Sequence, residues 1–246
     1  AIPLILKGKD ILASAQTGTG KTAGFTLPML QRLSQGQSQK RRKVRALIIT
    51  PTRELAAQVH ANVKSYSEFL NIQSTVIFGG VNQRPQVATL KRGVDVLIAT
   101  PGRLLDLQNQ GFLSLSNVEI LVLDEADRML DMGFSDDLNK IISFLPKQRQ
   151  TILFSATMPK EVSLIAKKFM DSPVEVTVGH KNMGSKNVSH EYFLVGARDR
   201  YQALKRLADV NPEIFSVIFF EASNASLLLD PIIKFSNFLL ESIVLY

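Results

Sequence analysis

Residues 121–127 read LVLDEAD, an apolar run of strand type that stops on Asp124 and Glu125, with Asp127 two residues further on. Carboxylates this close repel one another unless a positive group sits among them. A second stretch supplies one. Ala15-Gln16-Thr17-Gly18-Thr19-Gly20-Lys21-Thr22 follows a strand-type run and opens a helical one. Its glycines let backbone amides curl around phosphate oxygens, and the helix N-terminus adds a favourable partial charge. Lys21 is placed to neutralise the β and γ phosphates of a nucleotide, and the Thr22 hydroxyl to hold Mg²⁺. The strict G-x-x-x-x-G-K-[ST] pattern is missed only at its first position, Ala15 here. In phosphate-transfer sites of this kind a carboxylate at the end of a neighbouring strand helps hold the metal, which makes Asp124 the candidate. Glu125 is then free to accept a proton from the attacking water as general base. Asp127 is left for a structural or coupling contact.

Such residues must be brought together by a scaffold, and the chain alternates two kinds of segment. Runs at 10–14, 44–50, 74–78, 95–99, 119–123, 150–154 and 174–178 are short and rich in Val, Ile and Leu. Most are apolar on consecutive positions, as strands covered on both faces should be. Helical periods occupy 53–70 and 160–170 among others. The alternation predicts an α/β fold: a doubly wound, mostly parallel sheet with helices on both faces. In such sheets ligands gather at the carboxyl ends of the strands. Several of the run-to-helix junctions are chemically unusual: AQTGTGKT, TPTREL, FGG, TPGR, DEAD and SAT.

Composition narrows the function classes. The chain has 246 residues, 45% hydrophobic and 21% charged, as in soluble globular proteins. Lys and Arg outnumber Asp and Glu by 29 to 22, a net charge of +7 that favours polyanion partners such as nucleic acid. The absence of cysteine excludes disulfides, thiolate metal sites and a cysteine nucleophile. His60, His180 and His190 are too widely spaced to form a ligand set. No signal peptide and no apolar run of about 18 residues is visible, so a cytoplasmic location is expected. The basic run QKRRKVR at 39–45 precedes a strand and reads as a solvated basic face.

AQTGTGKT, PTRELA, GG, TPGR, DEAD and SAT, in this order, resemble the motifs of the DEAD-box ATP-dependent RNA helicases, in wording most like bacterial members. The resemblance covers residues 1–220. It implies a RecA-like P-loop NTPase lobe at 1–179, a linker at 180–190 and the start of a second RecA-like lobe at 191–220. It also implies an RNA-stimulated ATPase that separates short duplexes, with ATP and Mg²⁺ as cofactors and a monomeric state. By this resemblance Lys21 and Thr22 serve phosphate and metal, Asp124 the metal through water, and Glu125 the hydrolytic water. Ser155 and Thr157 of SAT contact the Asp127 region and couple hydrolysis to unwinding. Thr52, Arg53, Gly79, Gly80, Thr100, Gly102 and Arg103 grip the RNA sugar–phosphate backbone. Arginine forks and backbone amides suit phosphate oxygens and read no base.

Both ends are expected to be those of a fragment. The family's adenine-reading segment would lie upstream of Ala1. After SVIFF at 216–220 the family pattern stops, and residues 221–246 form an off-pattern apolar tail, as a frame shift or truncation would produce. The second lobe supplies arginine fingers, which contribute about 10³ to 10⁵ in rate. The 246-residue chain is therefore expected to bind ATP–Mg²⁺ and RNA weakly and to unwind nothing. The rival readings are a DNA translocase built from similar lobes and a catalytically silent ATP- and RNA-binding module.

Overall fold

The apolar runs form a seven-stranded sheet in which every pairing is parallel. The computed structural model describes residues 1–15, 19–35, 42–178, 190–193, 195–196, 198–210 and 242–245. In chain order the elements are α1 (Ile2–Leu6), β1 (Ile11–Ala15), α2 (Lys21–Ser34), β2 (Ala46–Ile49), α3 (Arg53–Tyr66), β3 (Ser74–Ile77), α4 (Arg84–Arg92), β4 (Val96–Ala99) and α5 (Pro101–Asn109). There follow β5 (Ile120–Leu123), α6 (Ala126–Asp131), α7 (Ser135–Ser143), β6 (Gln150–Ser155), α8 (Lys160–Phe169) and β7 (Val174–Val178). The strand order is β3-β4-β2-β5-β6-β1-β7. By Cα packing the chain divides into two compact units, Ala1–Asn182 and Met183–Tyr246.

Consecutive apolar residues in one strand point to opposite faces, and each face builds its own core. Leu47, Ile49, Leu97, Leu121, Leu123 and Leu153 join residues of α4, α5, α6, α7 and α8 in one cluster. Their strand neighbours Ala46, Ile48, Ile98, Ile120, Val122 and Ile152 join residues of α1, α2 and α3 in the other. Phe25 of α2 meets Phe154 of β6 there, ring centroids 5.5 Å apart. The unbroken hydrophobicity of the runs is thus a consequence of helices on both faces.

Strand boundaries fall within a residue or two of the expected runs. The helix expected over 53–70 ends at Tyr66, because Ser67 leaves helical geometry (φ −100°, ψ 10°) and Leu70 N–H turns back to the Ser67 carbonyl. Polar residues cluster at the amino edge of the sheet. The Gln150 side chain donates to the Ile5 and Lys9 carbonyls at 3.2 and 2.6 Å and accepts from Arg32. Asp10 accepts from the amides of Thr151 and Asp171 at 2.7 and 2.9 Å. The described part of the basic run lies at this edge too. Arg42 pairs with Asp95, and Arg45 Nε lies 2.6 Å from the Glu119 carboxylate.

In the second unit β8 (His190–Phe193) pairs in parallel with β9 (Ser242–Leu245), and α9 (Arg200–Val210) lies between them in sequence. Residues 216–220 and most of the linker expected at 180–190 lie outside the described residues, and His190, the last residue of that linker, begins β8 instead. Of the apolar tail only 242–245 are described, and they form a strand that its sequence did not announce.

Gly93 shows how tightly the first unit is closed. Its φ is +88°, and an added Cβ would lie 2.8 Å from the Arg42 carbonyl oxygen. Gly93→Ala should therefore lower the unfolding free energy by about 1–3 kcal/mol, read from the urea midpoint at unchanged slope.

Candidate functional site

Because all strands of the sheet run one way, the loops that leave their carboxyl ends share one edge. Along it, in strand order, stand Gly79 and Gly80 after β3, Thr100 after β4, Thr52 and Arg53 after β2, Asp124 and Glu125 after β5, Ser155 and Thr157 at and after β6, and the phosphate loop after β1. Every candidate site residue among the described residues falls on this edge.

At β1, Gly20 takes φ +76° as the N-cap of α2, a conformation that glycine adopts without steric cost. Lys21 and Thr22 then occupy the first turn of α2. Gln16, Thr17 and Gly18 lie outside the described residues. The Lys21 Nζ is buried and has no hydrogen-bond partner among the described residues, and the same holds for Asp124 Oδ1. Orphaned buried ionic groups are costly, and each needs a partner.

Asp124 is 2% exposed and its amide continues the sheet ladder to the Ile49 carbonyl at 3.0 Å. Burial pushes its carboxyl up to about 6, against the pull of the Lys21 ammonium; the Glu125 and Asp127 carboxylates push further upward. The carboxylates of the acidic cluster thus repel one another, and Lys21 offsets only part of the cost. The next residue bears strain. Glu125 sits at φ 55°, ψ 52°, a left-handed conformation rare for a residue with a side chain, as N-cap of α6. Its carboxylate is 3.4 Å from the Arg128 guanidinium, one helical turn on. The sequence reading passed over Arg128, although the i, i+3 spacing on a helix would have suggested the pair.

Asp127 is held from the neighbouring strand end. The Thr157 amide and hydroxyl both donate to Asp127 Oδ2, each at 2.8 Å. The Asp127 amide in turn donates to Ser155 Oγ at 3.2 Å. Burial pushes the Asp127 carboxyl up, but these bonds and the Arg128 amide outweigh it and leave it below its ordinary value. Ser155, Thr157 and Asp127 thus form one hydrogen-bonded unit between β5 and β6.

On the other half of the edge, the Thr52 hydroxyl caps α3 by accepting from the Leu55 amide at 3.3 Å. Arg53, half exposed, lies against Gly80: a Cβ there would be 2.5 Å from Arg53 Nη1. Thr100 is the N-cap of α5, and a Cβ on Gly102 in its first turn would meet nothing within 4 Å. The same is true of Gly79. Arg103 departs from the expected outward grip. Its side chain is 12% exposed, donates from Nη2 to the Val81 carbonyl at 3.1 Å and lies 3.6 Å from Asp106. The Gln86 amide, which no local pattern would mark, bonds both backbone groups of Phe78, accepting at 3.2 Å and donating at 3.1 Å.

No group of three or more His, Asp or Glu is arranged to hold a metal ion among the described residues. A site of one carboxylate and one hydroxyl beside a phosphate loop is what Mg²⁺ needs when the nucleotide brings the remaining oxygens.

The parallel sheet, the glycine-capped α2 with Lys21 and Thr22, and the acid-tipped β5 define a RecA-like α/β lobe. A family model described as DEAD/DEAH box helicase matches residues 1–165, and the chain belongs to that family. It is 42% identical over 218 residues to the ATP-dependent RNA helicase CshA of Listeria monocytogenes, covering 89% of this chain and 41% of that protein. It is 52% identical over 179 residues to the probable ATP-dependent RNA helicase ddx27 of Dictyostelium discoideum, covering 72% of this chain and 23% of that protein. Against the DEAD-box ATP-dependent RNA helicase RhpA of Helicobacter pylori the identity is 36% over 219 residues, 89% of this chain and 44% of that protein. The chain spans less than half the length of each of these relatives.

The buried Asp124 charge makes a prediction for the nucleotide-free and metal-free chain. Its folded carboxyl titrates near 6 against a reference of 3.8, so the folded state loses stability as pH rises through that interval. The penalty at higher pH is on the order of 3 kcal/mol. Asp124→Asn removes it. The variant should melt above wild type at about pH 8, with the gap closing toward about pH 4. A variant that melts no higher at the upper pH would contradict the burial of an uncompensated charge.

Proposed function

We propose that the protein works as an ATP-dependent RNA helicase, with ATP and Mg²⁺ at the β1–β5–β6 half of the carboxyl edge and RNA at the β3–β4–β2 half. The observation that carries the nucleotide half is the pair of buried, unpartnered atoms, Lys21 Nζ and Asp124 Oδ1, at the strand ends beside the start of α2. A triphosphate with its metal would satisfy both. Ala15 through Thr22 wrap the phosphates in this reading, with Lys21 on the outer ones. Thr22 and Asp124 hold the metal, which supplies charge neutralisation for the phosphoryl group. Glu125 accepts the proton of the water that attacks the γ-phosphorus while the bond to the leaving diphosphate oxygen breaks. Asp127, Ser155 and Thr157 transmit the state of that site along the edge.

The RNA half is supported by chemistry of a different kind. Arg53 is the exposed guanidinium beside the Gly80 backbone, and Gly79 and Gly102 leave room where a side chain would stand. Thr52 and Thr100 sit at the N-termini of α3 and α5, where amide groups and the helix dipole favour phosphate. Such contacts track a backbone and carry no sequence information. In this reading the protein is a cytoplasmic monomer acting on many RNAs; the names of its relatives say of them only that they are ATP-dependent RNA helicases.

Binding of ATP with Mg²⁺ to the chain is expected to fall at least about a hundredfold in Lys21→Ala. In the complete protein, second lobe included, Glu125→Gln should bind ATP like wild type and lose about 10² to 10⁴ in hydrolysis rate. RNA should stimulate that rate and DNA should not. Normal hydrolysis by Glu125→Gln would remove the general-base assignment, and equal stimulation by DNA would favour a DNA translocase.

A further inference from the structure

A turn of two consecutive glycines has the freest backbone a chain can have, which suits close approach to a ligand but not a fixed arrangement of donors. Anion sites made of backbone amides work when the amides are already in place. The Gly79–Gly80 turn after β3 has to reconcile the two, and no side chain of its own can do so. β3 is moreover the edge strand of the sheet, so the backbone that follows it has a ladder partner on one side only.

Two side chains from other elements flank the turn. Before it, the Gln86 amide from α4 makes a two-point contact with Phe78: Phe78 N–H donates to Oε1 at 3.2 Å, and Nε2 donates to the Phe78 carbonyl at 3.1 Å. An amide side chain here takes the place of the missing neighbouring strand. After the turn, Arg103 from α5 donates to the Val81 carbonyl at 3.1 Å. Its guanidinium is fixed by Asp106 at 3.6 Å and by burial to 12% exposure, and its Nη1 is buried. Between the two braces, Gly80 stands at φ +75° with Arg53 where a Cβ would project.

We propose that Gln86 and Arg103 are positioning residues for RNA: they brace Phe78 and Val81 and so hold the Gly79–Gly80 amides in place for a phosphate. Arg103 acts through the turn and does not itself touch the phosphate. The proposal rests on the RNA-binding reading above, and its test separates the two.

Binding of a short fluorescein-labelled oligouridylate to the chain is measured by anisotropy over a range of KCl concentrations, for wild type, Gln86→Met, Arg103→Met and Arg103→Lys. Gln86→Met keeps the length of the side chain and loses both bonds. It should weaken RNA binding about tenfold and leave ATP affinity unchanged, since the nucleotide half lies on other strands. The slope of log affinity against log salt should stay at the wild-type value in Gln86→Met and in Arg103→Met, because neither removes a phosphate-neutralising charge. A direct phosphate contact by Arg103 would instead reduce that slope by about 0.7, which would overturn its positioning role. Arg103→Lys, which restores the charge with a single donor direction, should recover only part of the affinity; full recovery would point to charge alone. If Gln86→Met does not fold, Gln86→Asn, too short to reach Phe78 with both groups, decides in its place. Wild-type RNA affinity in the Gln86 variants would overturn the brace. Should the wild-type chain bind no RNA, the RNA reading fails, and amide exchange at Gly79, Gly80 and Val81 still tests the brace: faster exchange in Gln86→Met supports it, and unchanged exchange overturns it.

Discussion

The carboxyl edge of the sheet is organised around a charge that the folded protein alone cannot satisfy. Asp124 is buried at the tip of a central strand with further carboxylates beside it, and Lys21, the cation that pulls on it, has a buried Nζ with no hydrogen-bond partner among the described residues. In a packed interior such a group is expensive and normally ends up paired or neutral. Here the sheet forces the exposure of neither. The strand must be apolar on both faces to sit between two helical layers, so the residue that follows it starts deep, whatever its charge. The cost falls on the ligand-free fold, and in the proposed function a cationic metal with an anionic phosphate would reverse it, which would link stability to occupancy. Glu125 adds local backbone strain at the same point, as is common where geometry serves chemistry before stability.

The strand order turns this local condition into an arrangement along the whole edge. β1, β6 and β5 stand together and bear Lys21, Ser155 and the acidic residues at their ends, whereas β2, β4 and β3 bear Thr52, Arg53, Thr100 and the glycine pair. β5 and β2 are neighbours, in register from Ala46 with Ile120 to Ile49 with Leu123. A displacement of the acidic tip is therefore one strand away from the Arg53 end, through a ladder that includes Asp124 N–H to the Ile49 carbonyl. On the other flank, Thr157 and Ser155 tie Asp127 to β6. Asp127 belongs to the same acidic run as the metal candidate but has its hydrogen bonds met by protein. One cluster thus contains a carboxylate that awaits a ligand and another already committed to the scaffold.

Much of this was legible in the sequence because local rules carry it. Unbroken Val, Ile and Leu runs separated by helical periods specify strands covered on both faces, and the seven expected runs became the seven strands. The motif residues lie at strand ends because the sequence places them immediately after the runs. What could not be read was decided across the fold. The helix end at Ser67, the pairing of 190–193 with 242–245 and the amino-edge network of Gln150, Arg32 and Asp10 depend on partners far away in sequence. Gln86 is the sharpest case, since glutamine in the first turn of a helix has no special look until Phe78 is brought beside it.

Arginine shows why residue type within a motif does not settle a role. Arg53 and Arg103 both stand at the start of helices on the same edge, and on sequence alone they invite the same assignment. The fold separates them by solvent access. Arg53 keeps half its side chain exposed, whereas Arg103 is drawn inward by Asp106 one turn on and by the Val81 carbonyl. The described arginines of the basic run go a third way. Arg42 and Arg45 pair with Asp95 and Glu119 at the opposite edge, so the charge they contribute closes the amino side of the sheet. Net charge therefore overstates the surface available to a polyanion. Guanidinium groups buried against carboxylates no longer displace counterions from a phosphate backbone.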